Sequence, residues 1–189
     1  MALIEGTTAG FVIVAPTGDP SGTNDGTMDG NSRAQLVTSP AGATKITEVG
    51  WYCINSTQES NFEMGLYDTT GTDGQAGALL NVSRTNAKGT TSGWKTISVD
   101  WTISESTDYW IAVQLDETPI IGTTINYEGG GLGAGTQYDL TNGSITLSDP
   151  ADTASYNYVG GLIAVYAVYT LQKTIQGLQT IQGVSSITL

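Results

Sequence analysis

The side chains of this sequence that could do chemistry are carboxylates, hydroxyls and aromatic rings. The chain of 189 residues has 18 acidic and 6 basic side chains, no histidine and one cysteine, Cys53. Without an imidazole, neither a Ser-His-Asp triad nor a histidine-ligated metal site can form, and a single thiol makes no internal disulfide and no cysteine zinc cluster. We therefore expect a non-enzymatic protein that binds no cofactor.

With histidine- and cysteine-based sites excluded, a pair of carboxylates is the remaining group in this sequence that could carry out catalysis. Glycoside hydrolysis needs two acids about 5 to 10 Å apart in one cleft. The sequence does not bring its glutamates together, because they fall on different predicted strands and loops: Glu48, Glu63, Glu117 and Glu128. We expect no glycosidase site.

Oxygen-rich segments offer possible cation ligands. Asp25, Asp29 and Asn31 stand in the turn-forming run Asn-Asp-Gly-Thr-Met-Asp-Gly-Asn, and such oxygens are the ligands that calcium prefers. The spacing matches no EF-hand, and a solvated turn is the favoured interpretation of the run. Asp68, Asp73 and the segment 149–152 support a metal no better, so we predict no metal site.

The aromatic residues, four Trp and nine Tyr, are the better candidates for binding, because a flat apolar ring with a polar rim suits sugars and apolar partners. Trp51, Trp94 and Trp101 are expected in the core or at its edges. Trp110 alternates away from its apolar neighbours and is a candidate glycan platform, with packing as the alternative. Four tyrosines in or beside the Gly-rich segment 128–160 are candidates for receptor contact, with loop filling as the alternative: Tyr127, Tyr138, Tyr156 and Tyr158.

Charge and hydropathy exclude several partners. A net charge of -12 on a chain that is only 13% charged leaves no basic stripe for phosphates, so we expect neither nucleic acid nor an anionic membrane as a partner. The first 16 residues have no basic segment and a short apolar run, which predicts no export signal. No run approaches the roughly 20 apolar residues of a transmembrane helix.

Hydrophobic periodicity predicts strands throughout the middle of the chain. Apolar residues alternate with polar ones in 61–68, 94–101 and 109–115, and 162–170 is a near-continuous apolar run typical of a strand buried on both faces. Turn-forming residues separate these runs from further predicted strands at 35–38, 46–54, 79–83, 123–127 and 144–147. No segment has a useful helical period.

This pattern predicts an all-β fold. A jelly-roll-type antiparallel β-sandwich over residues 34–170 buries two half-apolar sheets against each other, and an immunoglobulin-like sandwich is the alternative. Residues 1–33 are predicted to form an N-terminal arm with a short strand near 11–14. Residues 171–189 are predicted to form an extended tail.

The tail carries a six-residue repeat, Thr-Ile-Gln-Gly-Leu-Gln followed by Thr-Ile-Gln-Gly-Val-Ser and Ser-Ile-Thr-Leu. Apolar residues at every third position fit neither a helix nor a heptad, and the glycines disfavour helix further. An extended segment cannot bury its own isoleucines, so it either lies along its own domain or winds with copies of itself. We predict self-association or docking on another subunit, with fraying as the alternative. The predicted oligomer interface is Ile175, Leu178, Ile181, Val184 and Ile187.

Four segments together resemble a known type of module. They are Phe62-Glu-Met-Gly-Leu-Tyr-Asp, Gly71-Thr-Asp-Gly-Gln-Ala-Gly-Ala-Leu-Leu, Gly93-Trp-Lys-Thr-Ile and Tyr109-Trp-Ile-Ala-Val. Over roughly residues 40 to 170 the chain is similar to jelly-roll modules of phage structural proteins and of bacterial secreted, surface-associated proteins. The resemblance implies a strand, a hairpin-like loop, two neighbouring strands, and a non-enzymatic shell, fibre or ligand-binding role.

The expected lack of an export signal favours the phage side of this resemblance. We therefore expect a virion structural protein, a capsid decoration, fibre or tail component that assembles in the host cytoplasm. Its expected partners are copies of itself, with a trimer favoured, other virion proteins and a host-surface glycan. A carbohydrate-binding module that uses surface Trp and Tyr is the alternative.

Overall fold

The computed structural model describes residues 1–21, 24–28, 32–54, 59–115, 124–128, 137–140, 146–151, 157–158 and 161–172. These residues form thirteen strands and one short 3-10 turn, Thr72–Gly74. The strands are β1 (Gly10–Val12), β2 (Asn24–Thr27), β3 (Ser32–Thr38), β4 (Ala43–Ile54), β5 (Asn61–Tyr67), β6 (Leu79–Ala87), β7 (Gly93–Thr102), β8 (Asp108–Leu115), β9 (Thr124–Glu128), β10 (Gln137–Leu140), β11 (Asn157–Tyr158), β12 (Leu162–Ile163) and β13 (Val165–Leu171). Within the described ranges, no helix has the length and apolar character needed to span a bilayer.

The first sheet has seven strands built around β4, the longest strand. β13 lies antiparallel to β4 on one side and β7 lies antiparallel to it on the other. β1 extends the sheet beyond β13 and runs parallel to it. β9 joins the far end of β4 and also pairs with β2 and β12.

The second sheet has six strands in the order β11-β10-β3-β8-β5-β6, and each neighbouring pair is antiparallel. From β3 to β9 the chain crosses between the two sheets at every connection except the β5–β6 hairpin. The predicted all-β antiparallel sandwich is therefore confirmed.

The main core lies between the sheets and is formed by alternate residues of the central strands. β4 contributes Val49, Trp51 and Cys53, while β8 contributes Ile111 and Val113. Trp51 is fully buried and packs edge-on against Phe62, with their ring centroids 5.7 Å apart. Burying one such side chain contributes roughly 1.5 to 3 kcal/mol, so this layer holds the sheets together.

The N-terminal segment docks on the sandwich. Phe11, on β1, packs edge-on against Tyr109 and Tyr169, each at 6.3 Å between ring centroids. Gly10 has a φ of +70°, and a Cβ there would lie 2.9 Å from Cγ1 of Val37, so the backbone at this glycine approaches β3 of the second sheet closely. β1 thus closes one side of the sandwich.

The predicted strands are present with small shifts of their ends, with two exceptions. The run predicted as one strand at 162–170 is divided into β12 and β13, which pair with β9 and β4. The other exception is the strand predicted at 144–147. Thr146 and Leu147 are not in a strand, and 144–145 lie outside the described residues. Leu147 instead packs on the outer face of the second sheet, where its Cδ1 lies 2.7 Å from the place of a Cβ on Gly65. The apolar side chain of Leu147, which led to the prediction of a strand, is instead buried by this packing.

Candidate functional site

Three aromatic side chains on adjacent strands form a cluster on the face of the first sheet that points away from the second sheet. We call Tyr52, Trp94 and Tyr166 the aromatic cluster. Tyr52 on β4 is the register partner of Trp94 on β7, and Tyr166 on β13 is the partner of Gly50 on β4. Trp94 lies between the two tyrosines, with ring centroids 5.3 Å from Tyr52 and 5.2 Å from Tyr166, both edge-on.

Hydrogen bonds fix the polar atoms of the aromatic cluster. The Tyr166 hydroxyl donates to Oε1 of Glu48 at 2.6 Å, and Nε1 of Trp94 donates to the carbonyl of Gly18 at 3.0 Å. Burial raises the pKa of Tyr166, and its bond to Glu48 raises that pKa further. Burial also raises the pKa of Tyr52, with a hydrogen bond to Asp19 as the next cause. Both phenols therefore stay protonated and serve as donors.

Only part of the aromatic cluster faces solvent. Tyr166 is fully buried and Tyr52 is 7% exposed, whereas Trp94 is half-buried. Gly18 is hydrogen-bonded to Trp94 and Asp19 to Tyr52, so the N-terminal segment lies against the cluster. The accessible part of the Trp94 indole is thus the surface that this cluster can offer to a ligand.

The structure corrects the expectation that Trp110 offers a glycan platform. The side chain points away from the main core, as its alternation indicates, but it is only 1% exposed. It packs with Tyr67, Ala112 and Leu147 in a second apolar cluster, and its Nε1 donates to the carbonyl of Gly74 at 3.1 Å. The packing alternative is the right one, because loop segments cover the outer face of the second sheet.

The loop 68–78 that covers Trp110 is closed by one carboxylate. Oδ1 of Asp68 accepts from the backbone N–H of Thr70 at 3.1 Å, from its hydroxyl at 2.6 Å and from the N–H of Ala78 at 2.8 Å. Burial raises the pKa of Asp68, but the hydrogen bonds from Thr70 and Ala78 outweigh it and leave the pKa lowered. Asp68 is thus committed to loop structure.

A second segment, 146–151, is held by a buried carboxylate of β5. Oε2 of Glu63 accepts from Nη1 of Arg84 at 2.8 Å and from the backbone N–H of Leu147 at 2.9 Å. The Tyr67 hydroxyl donates to the carbonyl of Ser148 at 2.8 Å. Glu63 and Glu48 lie on different sheets, so the structure does not bring these two acids together.

No group of three or more His, Cys, Asp or Glu side chains stands close enough to hold a metal ion in the part of the chain that the structure describes. Asp25 lies on β2, but its side chain is outside the description, and Asp29 and Asn31 are outside the described residues altogether. The expectation that these three residues form a solvated turn without a metal stays a prediction.

The other predicted binding residues are placed only in part. Tyr138 on β10 is the register partner of Tyr158 on β11. Tyr127 lies on β9 in the first sheet. Tyr156 lies outside the described residues, as do the five predicted interface residues of the tail: Ile175, Leu178, Ile181, Val184 and Ile187.

Three exposed apolar side chains lie at or just after the ends of β1 and β13. They are Ile13, Val14 and Leu171. Their exposed fractions are 65%, 72% and 53%, which makes them prominent among the large apolar side chains of the described chain. Sequence reasoning predicted a strand near 11–14 but did not single out these side chains, because their exposure depends on where β1 pairs.

Comparison with known proteins gives few likenesses. No protein-family model matches the chain, and no curated protein matches it. Among solved structures, the cysteine protease and lectin-like domains of Cwp84, a surface layer associated protein of Clostridium difficile, are similar at 14% identity and a TM-score of 0.45, with 71% of this chain and 31% of that chain covered. A clostridial Cwp84 cysteine protease after propeptide cleavage is similar at 13% identity and a TM-score of 0.47, with 76% and 37% covered. This chain thus spans about a third of each of those chains.

Proposed function

We propose that this chain is a non-enzymatic structural protein of a phage virion, a capsid decoration, fibre or tail component. It acts through self-assembly and adhesion, with a trimer as the favoured oligomer and other virion proteins as neighbours. The observation that carries the proposal is the six-residue repeat, with apolar residues at every third position, which follows a strand end where Leu171 is exposed.

The engagement of the acidic side chains supports a role without catalysis. Glu48 accepts a hydrogen bond from a tyrosine, and Glu63 accepts one from an arginine. Asp68 accepts hydrogen bonds that close its own loop. Oδ1 of Asp149 accepts from the N–H of Leu79 at 3.1 Å. A general acid or base needs a proton that it can exchange with a substrate, and these four carboxylates serve the fold.

The tail supplies the apolar surface for assembly. Burial of each of the five predicted interface residues contributes roughly 1.5 to 3 kcal/mol, and this term, repeated around an axis, offsets the cost of association. The net charge of -12 keeps densely packed copies soluble and repels DNA. Both properties suit an outer position on a virion assembled in the host cytoplasm.

A matched pair of tail variants tests the proposal. Ile181→Asp places a charge among the five predicted interface residues. Thr180→Asp places the same charge on the preceding residue, which is not one of the five. We expect the first to lower the oligomer mass measured by light scattering and the second to leave it unchanged. Equal masses for Ile181→Asp and the unsubstituted chain would refute an assembly role for the tail.

Carbohydrate binding is the second candidate function, and the half-buried indole of Trp94 favours it, since the tyrosines that it packs against are hydrogen-bonded to Glu48 and Asp19. Partial exposure of a ring with acceptors nearby is the arrangement that binds a sugar. The test is a glycan array probed with Trp94→Ala, Trp94→Phe and the exposed neighbour Thr96→Ala. Binding that is lost in Trp94→Ala and kept in Thr96→Ala supports this function, and absence of binding by the unsubstituted chain contradicts it.

A further inference from the structure

We propose that residues 15–21 form a strap that covers the aromatic cluster in a closed form and lifts from it to admit a ligand. The inference rests on carbohydrate binding at Trp94, the second candidate function, and names how access to that site is controlled. The closed form is the one that the structure describes.

The strap occupies two hydrogen-bond donors of the aromatic cluster. The carbonyl of Gly18 accepts from Nε1 of Trp94 at 3.0 Å, and Asp19 is hydrogen-bonded to Tyr52. Tyr52 points away from the second sheet, together with its register partner Trp94, and is still only 7% exposed. A ligand with acceptor groups therefore competes with the strap for the same two donors and favours the form in which the strap has lifted.

Few interactions hold the strap to the sheet. Thr17, Gly18, Asp19 and Ser21 are exposed, and the residues 15–21 lie in no strand and in neither apolar cluster. Further hydrogen bonds join the strap to Met1, whose nitrogen donates to the carbonyl of Asp19 and whose carbonyl accepts from the N–H of Ser21 at 2.7 Å. A segment with exposed hydrogen bonds and few buried apolar contacts opens at a low cost in free energy.

The segment 146–151 is a cover of the opposite kind. Leu147 is 2% exposed and packs in the second apolar cluster, and its N–H donates to Glu63. The carbonyl of Ser148 accepts from the Tyr67 hydroxyl. The strap has no such apolar anchor, so it should open far more readily than the segment 146–151.

The strap can lift while the strands on either side of it stay paired. Val12, the last residue of β1, is 1% exposed and pairs with Val168, and β2, which follows the strap, pairs with β9. Between β1 and the strap, Ile13 and Val14 are 65% and 72% exposed. These two residues can change their backbone angles without leaving the core, so they suit a hinge.

Hydrogen exchange on the full chain tests whether the strap opens by itself. The Ser21 amide reports on the strap, and the Leu147 amide reports on the firmly held cover. We expect the Ser21 amide to exchange at least about 100-fold faster than the Leu147 amide. Equal protection of the two amides would overturn the proposal.

Two variants test whether opening exposes the site. Asp19→Ala and Tyr52→Phe each remove the hydrogen bond between the strap and Tyr52, and the second keeps the ring. We expect each to raise the acrylamide quenching constant of Trp94 by about 2-fold, because a half-buried ring becomes exposed, and to strengthen binding on a glycan array. The control is Asp100→Ala on β7, whose side chain is 76% exposed and which should change neither. Unchanged quenching in both test variants would sink the proposal.

Quenching and glycan binding together separate this inference from the function on which it rests. If quenching rises while array binding stays equal or weakens, the strap opens without controlling access, so the inference fails and carbohydrate binding stands. If quenching rises and neither the unsubstituted chain nor a variant binds any glycan of the array, carbohydrate binding fails and the control of access fails with it.

Discussion

The ring of Tyr166 lies directly over Gly50 on the neighbouring strand. A Cβ on Gly50 would stand 2.5 Å from Cε1 and 2.6 Å from Cζ of that ring. Glycine in a strand interior often marks such a close approach, and here the missing side chain leaves the space that the Tyr166 ring occupies. The same tyrosine reaches Glu48, so one side chain ties β13 to two positions on β4.

Gly50→Ala should therefore destabilise the protein by about 1 to 3 kcal/mol, because the fully buried Tyr166 ring has no room to move aside. Urea unfolding measures the change. Gly18→Ala is the control, because a Cβ there meets Sδ of Met1 at an ordinary 3.4 Å. Equal unfolding midpoints for the two variants would contradict the close approach.

Stability should fall as the pH rises above about 10. Burial raises the pKa of Tyr166 and of Tyr67 from their ordinary value of 10.0, so the native state keeps protons that the unfolded chain releases. The contribution of these groups is complete below pH 10 and is lost at higher pH. Unfolding midpoints across an alkaline pH series should fall less steeply for Tyr166→Phe, and an unchanged slope would count against the buried phenol.

Glu63→Ala should release the segment 146–151. The variant removes the acceptor for Arg84 and for the Leu147 N–H, at a cost of about 1 to 3 kcal/mol. Hydrogen exchange at the Leu147 amide should become faster. The control is Asp100→Ala, which breaks a pair with Lys45 in which the Asp100 side chain is 76% exposed, and should change stability by less than about 1 kcal/mol. Unchanged exchange at Leu147 would show that Glu63 does not hold the segment.

Acrylamide should quench the fluorescence of Trp94 more than that of the other tryptophans. Trp51, Trp101 and Trp110 are 0%, 7% and 1% exposed, whereas Trp94 is half-buried. Trp94→Phe should remove most of the quenchable signal and Trp110→Phe should leave it nearly unchanged. The reverse result would restore Trp110 as the surface ring.

The strands were predictable from the sequence because a period of two is a local signal. Ile111 and Val113 face the main core as their alternation indicates, and 162–167 are buried on both faces as their apolar run predicts. The same rule failed for Trp110 and Glu63. Both point away from the main core and are still buried, because the distant segments 68–78 and 146–151 cover that face. Alternation carries no information about such a covering.

The aromatic cluster was missed for a similar reason. Tyr52, Trp94 and Tyr166 are far apart in sequence and meet only through the registers of β4 with β7 and β13. Gly50, inside an otherwise apolar strand, was the available local signal, since a missing side chain there indicates a close neighbour. Nothing in the sequence identified that neighbour as Tyr166.

The most direct test of the central claim compares the solution mass of the full chain with that of a chain ending at Gln172, which keeps β13 whole. Light scattering after gel filtration gives both masses. Assembly through the tail predicts a trimer or larger oligomer of the 19.7 kDa chain and a monomeric truncated form. Two monomers would contradict it and would leave carbohydrate binding at Trp94 as the better account.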